Sequence, residues 1–262
     1  MKQPASRRSF MELAFKEFGS SEPLVILHGL LGASDNWLGI TTKLAERFHL
    51  FVLDLRNHGQ SPHSDIMNLS LMGEDVKEFF DTHGLASAHV MGHSLGGKVA
   101  MEFALRHPER VRKLVIEDIA PRVYKPMHDV IFSALLSLDL STFQSRQQVE
   151  DALASKIPSL VMRRFLLKNL GRGAAGGFHW KINLRGILDN YPQLNEAITA
   201  NMVFEKPALF VHGEKSNYFT PADEVLIRKL FPKAEIQTIP EAGHWVHGEK
   251  PEEFVECVLK FL

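Results

Sequence analysis

Largely apolar runs of four to six residues alternate with amphipathic stretches through the first half of the chain. The runs occupy residues 24–27, 50–55, 88–91 and 114–119. Each run is typical of a strand buried on both faces of a parallel sheet, and the helical periodicity between the runs favours crossover helices. This strand–helix–strand rhythm predicts right-handed crossovers, and therefore an α/β fold with a mostly parallel sheet flanked by helices.

The rhythm breaks after residue 121, where helical patterns continue without a convincing buried strand. The helical patterns lie at 130–138, 146–154 and 160–170. The strand pattern resumes at 208–211 and 234–239. The economical interpretation is one sheet domain, formed by residues 1–121 and 206–262, which is interrupted by a helical insertion at 122–205. We call this insertion the cap segment.

The overall composition is that of an ordinary globular protein, with 45% apolar and 23% charged residues. Thirty basic and 31 acidic residues give a formal charge of −1. No single-sign run is present, so neither nucleic acid nor a membrane is an expected partner. The first ten residues lack the apolar core of a secretory signal. The single cysteine, Cys257, excludes an internal disulfide, so we expect a reducing, cytoplasmic location.

The strongest chemical signal is the segment VMGHSLGGKV at residues 90–99. Its centre fits the pattern G-x-S-x-G, with a short apolar strand before it and a helical pattern after it. A sharp turn from strand to helix lifts the central serine, Ser94, above the sheet edge at the positive end of a helix. The flanking elements therefore identify Ser94 as the candidate nucleophile.

A second loop, HGLLG at residues 28–32, follows the first buried strand. In an α/β sheet the loops at the carboxyl ends of the strands converge, so this loop should lie beside Ser94. Its glycine turn can direct the backbone amide of Leu30 inward. We expect the amides of Leu30 and Leu95 to form an oxyanion hole.

A serine nucleophile needs a neutral imidazole within hydrogen-bond reach. The loop AGHWVH at residues 242–247 follows the last predicted strand and supplies His244 in the chain order serine, acid, histidine. His247 is the competing histidine, three residues later, and its expected place is the start of the final helix or the loop before it. His244 is therefore the candidate base.

The orienting acid is where the sequence departs from the usual pattern. The turn after the strand at 208–211 carries Ser216 where an aspartate is expected, although it also contains Glu214. Asp118 ends the strand directly after the elbow unit, which should lie next to the Ser94 strand. We favour Asp118 as the acid, keep Glu214 as the alternative, and assign Ser216 an auxiliary hydrogen bond to the histidine–aspartate pair.

Four motifs together resemble the α/β-hydrolase fold family over essentially the whole chain. They are HGLLG at 28–32, DLRNHGQS at 54–61, GHSLGG at 92–97 and GHWVH at 243–247. The segments GHSLGGK, EDIAP at 117–121 and GEKSNY at 213–218 are similar to a subgroup of small carboxylesterases and acyl thioesterases. In that subgroup the triad acid follows the strand after the nucleophile elbow, so the resemblance also supports Asp118.

The resemblance implies a serine hydrolase that cleaves small, short-chain acyl esters or thioesters through an acyl-enzyme at Ser94. It implies further that the cap segment covers the pocket. The expected substrate-binding residues are Leu30, Phe132, Trp180 and Trp245. No metal or cofactor is expected, because the histidines lack a ligand spacing such as H-E-x-x-H.

Two other functions stay open. The same serine and histidine can serve a C–C bond hydrolase or a lyase, and fold and triad do not separate these from an esterase. A non-catalytic ligand receptor is disfavoured by the intact set of Ser94, Asp118 and His244. Dehalogenation is disfavoured because it requires a carboxylate at the position of Ser94.

Overall fold

A mixed sheet of seven strands lies at the centre of the computed structural model, which describes residues 11–173, 176–198 and 202–262. The strands in these ranges are β1 (Phe15–Phe18), β2 (Glu22–Leu27), β3 (Phe48–Leu53), β4 (Ala88–His93), β5 (Val111–Glu117), β6 (Leu170–Arg172), β7 (Phe178–Trp180), β8 (Ala208–Gly213) and β9 (Ala234–Ile239). The order across the large sheet is β1-β3-β2-β4-β5-β8-β9, and only β1 runs antiparallel to its neighbour. The predicted fold class is confirmed.

Helices cover both faces of this sheet. Those in the described ranges are α1 (Leu38–Ala45), α2 (Leu69–Thr82), α3 (Leu95–Arg106), α4 (Asp129–Leu136), α5 (Arg146–Ala154), α6 (Leu160–Leu167), α7 (Leu184–Asp189), α8 (Tyr191–Asn195), α9 (Asp223–Leu230), α10 (Val246–Glu249) and α11 (Pro251–Phe261). Three 3-10 turns occupy Ser34–Trp37, Pro108–Arg110 and Leu140–Thr142. Each helix of the described ranges is too short or too polar to cross a lipid bilayer.

Burial on both faces explains the continuous apolar runs. In β2, Val25 and Leu27 pack into the core beneath α2 and α3, while Leu24 and Ile26 pack into the core beneath α1 and α11. All four side chains are fully buried. Successive residues of a strand point to opposite faces, so a strand covered on both sides must be apolar at every position.

Some element boundaries differ from those predicted. The helical pattern predicted at 160–170 ends early, since α6 stops at Leu167 and Leu170 begins β6. In the cap segment, where no strand was expected, β6 and β7 form a small antiparallel hairpin. Strands of three residues are too short to show a period-two pattern in sequence.

The chain leaves the sheet after β5 and returns before β8, and these two connections lie side by side. The Tyr124 amide donates to the Asn195 carbonyl at 2.9 Å, and the Ile198 amide donates to the Pro121 carbonyl at 3.0 Å. These hydrogen bonds join the two ends of the cap segment to each other. The junction lies at the carboxyl end of the strands, where Ser94 also lies.

Lys98, one turn into α3, joins both connections to the helix that follows Ser94. Its side chain is 2% exposed, and its Nζ donates to the carbonyls of Arg122 at 3.4 Å, Leu194 at 3.3 Å and Glu196. Burial lowers the pKa of Lys98 to about 8, so the ammonium is still mostly charged at neutral pH.

Replacing Lys98 with methionine should lower the free energy of unfolding by about 1–3 kcal/mol, because buried carbonyls lose their donor. Urea unfolding of Lys98→Met measures this cost. Lys125→Met is the matched control, since Lys125 is exposed on the same connection and should change stability by no more than about 0.5 kcal/mol. Equal stabilities of the two variants would contradict the anchoring role.

Candidate active site

Ser94 lies on a strained turn between β4 and α3. Its backbone has φ 51° and ψ −116°, a conformation that L-residues rarely adopt, and its amide donates to the Glu117 carbonyl at 3.0 Å. Gly96 makes the turn possible, because a Cβ at this position would collide with the carbonyl of Leu27. Local sequence thus holds the hydroxyl above the carboxyl end of the sheet.

His244 connects Ser94 to Asp118 through hydrogen bonds at both ring nitrogens. Its Nε2 lies 3.1 Å from Ser94 Oγ, and its Nδ1 lies 2.6 Å from Asp118 Oδ2. Burial lowers the pKa of His244 to about 3, so the imidazole is neutral at pH 7. A neutral ring with its proton on Nδ1 can donate to the carboxylate and accept the serine proton.

Asp118 is a buried carboxylate that accepts donors from three elements. Oδ1 accepts the Gly213 amide at 3.0 Å, and Oδ2 accepts both the Ser216 hydroxyl and His244. Burial raises the pKa of Asp118 to about 6, while the bonds from Ser216 and Gly213 oppose that rise. The group is therefore ionised at pH 7, as an orienting carboxylate must be.

Glu214, the alternative acid, is not brought to His244. Its side chain is exposed, and Oε2 accepts the Glu241 amide at 2.9 Å. Ser216, two residues later, turns inward to Asp118 instead. The structure thus brings Ser94, His244, Asp118 and Ser216 together and leaves Glu214 outside.

The loop that carries His244 is fixed by hydrogen bonds that the sequence did not predict. His93 Nε2 donates to the His244 carbonyl at 2.9 Å. Buried Glu117 accepts the His247 amide at 2.9 Å and bonds His247 Nδ1 at 2.8 Å. His247, the competing histidine, therefore bonds Glu117 rather than Ser94. The only sequence signal for this pair is a second carboxylate directly before Asp118.

The loop with Gly29 passes close to the serine turn. A Cβ on Gly29 would lie 2.8 Å from His93 Nδ1 and 3.3 Å from Ser94 Cβ, so glycine permits the approach. Among the described residues the Leu30 amide has no hydrogen-bond acceptor. The Leu95 amide is at the first position of α3, where helices leave N–H groups free. Both amides are available to a developing oxyanion.

Two cavities meet at Ser94. The tyrosine cavity, about 410 Å³ including space open to solvent, is lined by Leu30, Ser94, Leu95, Lys98, Ile119, Tyr124, Lys125, Met127, His128, Tyr191, Leu194, Asn195 and Tyr218. The tryptophan cavity, about 350 Å³ on the same basis, is lined by Leu30, Leu31, His93, Ser94, His128, Ile131, Met162, Phe165, Leu166, His244 and Trp245. Ser94, Leu30 and His128 border both.

Of the expected substrate-binding residues, Leu30 and Trp245 line these cavities, but Phe132 and Trp180 do not. Phe132 is 1% exposed and packs on the Tyr191 ring at 5.2 Å. Trp180 donates through Nε1 to the Leu135 carbonyl at 3.4 Å. Both rings therefore contact other residues of the cap segment: Phe132 of α4 packs on α8, and Trp180 of β7 bonds α4.

Several lining residues belong to no sequence motif. His128 and Tyr191 are far apart in the chain and belong to no motif, so only the fold brings them together. Met162 and Phe165 are spaced as one face of a helix, which predicts an apolar face without saying what it covers.

Several known proteins are similar to this chain in sequence or fold. A family model described as alpha/beta hydrolase fold matches residues 22–148. The sn-1-specific diacylglycerol lipase ABHD11 of Danio rerio is 35% identical over 252 residues, 93% of this chain and 79% of that protein. Esterase YbfF of Escherichia coli K12 is 34% identical over 246 residues, 93% of this chain and 94% of that protein. The solved structure of a marine microorganism esterase matches with TM-score 0.94 and 43% identity, covering 96% of this chain and 100% of that one.

The chain belongs to the α/β-hydrolase fold family, as its motifs predicted. The three relatives described above are named an esterase or a lipase, and the chain is accordingly a serine ester hydrolase of that family. Its substrates are small-molecule esters.

Two matched substitutions of a carboxylate by an amide test which residue orients His244. Asp118→Asn keeps the shape but presents the wrong hydrogen-bonding group to His244, so kcat should fall by about 10⁴. Glu214→Gln should remain near the wild-type rate, because its side chain is outside the site. Steady-state kinetics on p-nitrophenyl acetate measures both, with melting temperatures as the folding control. A folded, active Asp118→Asn beside an inactive Glu214→Gln would reverse the assignment.

Ser216 should set the pH at which activity is lost in acid. Its hydroxyl stabilises ionised Asp118 and so lowers the carboxyl pKa; without it, protonation begins at a higher pH. In Ser216→Ala the acid limb of kcat/KM, expected near pH 6, should move upward by about one unit. Ser216→Thr, which keeps the hydroxyl, is the control. An unmoved limb in Ser216→Ala would show that this bond does not tune the acid.

Proposed function

We propose that the chain is a serine esterase that hydrolyses short-chain acyl esters or acyl thioesters through an acyl-enzyme at Ser94. The observation that carries this proposal is the hydrogen-bonded series from Ser94 Oγ through His244 to the buried carboxylate of Asp118. We assign the roles of nucleophile, base and orienting acid to these three residues in that order.

In the proposed mechanism, Ser94 attacks the substrate carbonyl as its proton passes to His244 Nε2. The amides of Leu30 and Leu95 donate to the oxyanion, and each such donor is worth about 10²–10³ in rate. His244 then protonates the leaving group, which departs. Water, deprotonated by His244, attacks the acyl-enzyme, and His244 returns the proton to Ser94 Oγ as the acid is released. Asp118 stabilises the imidazolium in both steps, and Ser216 holds Asp118 ionised.

The division into a sheet domain and a cap segment at 122–205 is part of the proposal. Support comes from the cavity linings, in which Tyr191 and Met162 of that segment face Ser94. The modest size of the two cavities favours short acyl groups. The description of the cap segment excludes residues 174, 175 and 199–201.

Hydrolysis of a diacylglycerol is the second candidate, because that activity gives the Danio rerio relative its name. Exposed apolar side chains of the cap segment, Met127, Val130 and Val161, also favour a lipid ester. Comparing dibutyrylglycerol with dioleoylglycerol in micelles separates the two candidates. A C–C bond hydrolase or lyase is disfavoured by the esterase and lipase names of the relatives.

We also propose a reducing compartment such as the cytoplasm, on the basis of the single cysteine, Cys257, which is half-buried in α11.

Ser94→Ala should lower kcat for p-nitrophenyl acetate by about 10⁶, because it removes the nucleophile. A fluorophosphonate should label the wild-type chain at Ser94, with the adduct located by peptide mass spectrometry. Ser141→Ala is the control, since it removes an exposed hydroxyl and should leave kcat unchanged. Near-wild-type turnover by Ser94→Ala, or labelling of another residue, would refute the mechanism.

A further inference from the structure

His128 is a polar side chain at the junction of the two cavities, and the triad mechanism does not use it. It lies directly before α4 in the cap segment and borders both cavities together with Ser94. Elsewhere the tryptophan cavity presents mainly apolar side chains from the cap segment, namely Ile131, Met162, Phe165 and Leu166. A single histidine in such a wall is placed to orient a substrate.

The hydrogen bonds of Tyr191 determine which ring nitrogen of His128 carries the proton. The Tyr191 hydroxyl oxygen accepts the Met127 amide at 3.2 Å and is bonded to His128 Nδ1. All groups are satisfied when the tyrosine O–H donates to Nδ1. Burial lowers the pKa of His128, which keeps the ring neutral at pH 7. The proton of the neutral ring is then on Nε2, for which the described residues provide no acceptor.

The position of His244 determines which cavity holds the alcohol part of the ester. His244 must protonate the leaving oxygen, and it borders the tryptophan cavity but not the tyrosine cavity. The leaving group therefore extends into the tryptophan cavity. Tyr191, which holds Nδ1, borders only the tyrosine cavity. The two nitrogens of an imidazole point in roughly opposite directions, so Nε2–H faces away from Tyr191, toward the leaving group.

We propose that His128 is a specificity-determining residue whose Nε2–H donates a hydrogen bond to an oxygen atom on the alcohol part of the ester. The favoured substrates are esters of diols and other oxygen-bearing alcohols whose remaining surface is apolar. This inference rests on the proposed esterase function. It selects among esters by the leaving group and leaves the chemistry at Ser94 unchanged.

Butyl acetate and 2-methoxyethyl acetate are a matched pair of probes, because one CH₂ of the first is an ether oxygen in the second. The measurement is the ratio of kcat/KM for methoxyethyl over butyl acetate, by titration of released acid. Comparing this ratio between variants cancels the intrinsic reactivities of the two esters. In His128→Leu the ratio should fall about three- to tenfold, the effect of one lost hydrogen bond to a neutral acceptor.

Two further variants separate the hydrogen bond from packing. His128→Gln places an amide N–H near the position of Nε2 and should restore at least half of the lost preference on a logarithmic scale. Tyr191→Phe releases Nδ1, so the proton can move there, and the ratio should fall without any change at His128 itself. Ser141→Ala, which alters an exposed residue outside both cavities, should keep the wild-type ratio.

An unchanged ratio in both His128→Leu and Tyr191→Phe, while p-nitrophenyl acetate is still hydrolysed, would overturn the role of His128 and leave the esterase mechanism intact. Should the wild-type chain hydrolyse none of the three esters, the proposed function itself would fail, and this proposal with it. If His128→Leu does not fold, the Tyr191→Phe ratio decides the question alone.

Discussion

The site depends on one buried carboxylate. Asp118 stands at the end of β5 with its side chain fully enclosed, and it accepts donors from the β8 terminus, the following turn and the histidine loop. A buried charge is stable only when it is paired or well hydrogen-bonded, so these donors are required by the fold as much as by the chemistry. One of the contacts that stabilise the buried charge of Asp118 is its hydrogen bond to His244. This bond orients the ring so that Nε2 lies within hydrogen-bond distance of Ser94 Oγ.

Hydrogen bonds from the ends of β4 and β5 hold Ser94 and the His244 loop in place around Asp118. Ser94 is fixed by its amide bond to β5, and the His244 loop is fixed by His93 and by the buried Glu117–His247 pair. Glu117, the last residue of β5, thus bonds His247, and the next residue, Asp118, bonds His244. A serine hydrolase gains rate from groups that are placed before the substrate arrives, and this arrangement leaves few of them free to move.

Much of this could be predicted from sequence, because the sheet imposes strong local patterns. Strands buried on both faces must be apolar throughout, so they can be recognised in the sequence. The turn at Ser94 needs glycines at fixed positions, so it can be recognised by its motif. The position of Asp118 near Ser94 could be predicted too, since a parallel sheet brings the ends of neighbouring strands together. The packing of the cap segment was harder to predict. Phe132 and Trp180 were expected at the substrate, yet they pack inside the segment, whereas His128 and Tyr191 line the cavity without belonging to any motif. Packing among short helices is a long-range property that periodicity does not encode.

We propose that Asp118 holds His244 as a neutral imidazole with its proton on Nδ1. Nitrogen-15 NMR of histidine-labelled protein measures this directly, with His244 assigned by comparison with His244→Gln. At pH 7 we expect a protonated Nδ1 coupled to a downfield proton and an unprotonated Nε2, with that proton signal lost in Asp118→Asn. A proton on Nε2 in the wild type, or an unaltered Nδ1–H signal in Asp118→Asn, would contradict it.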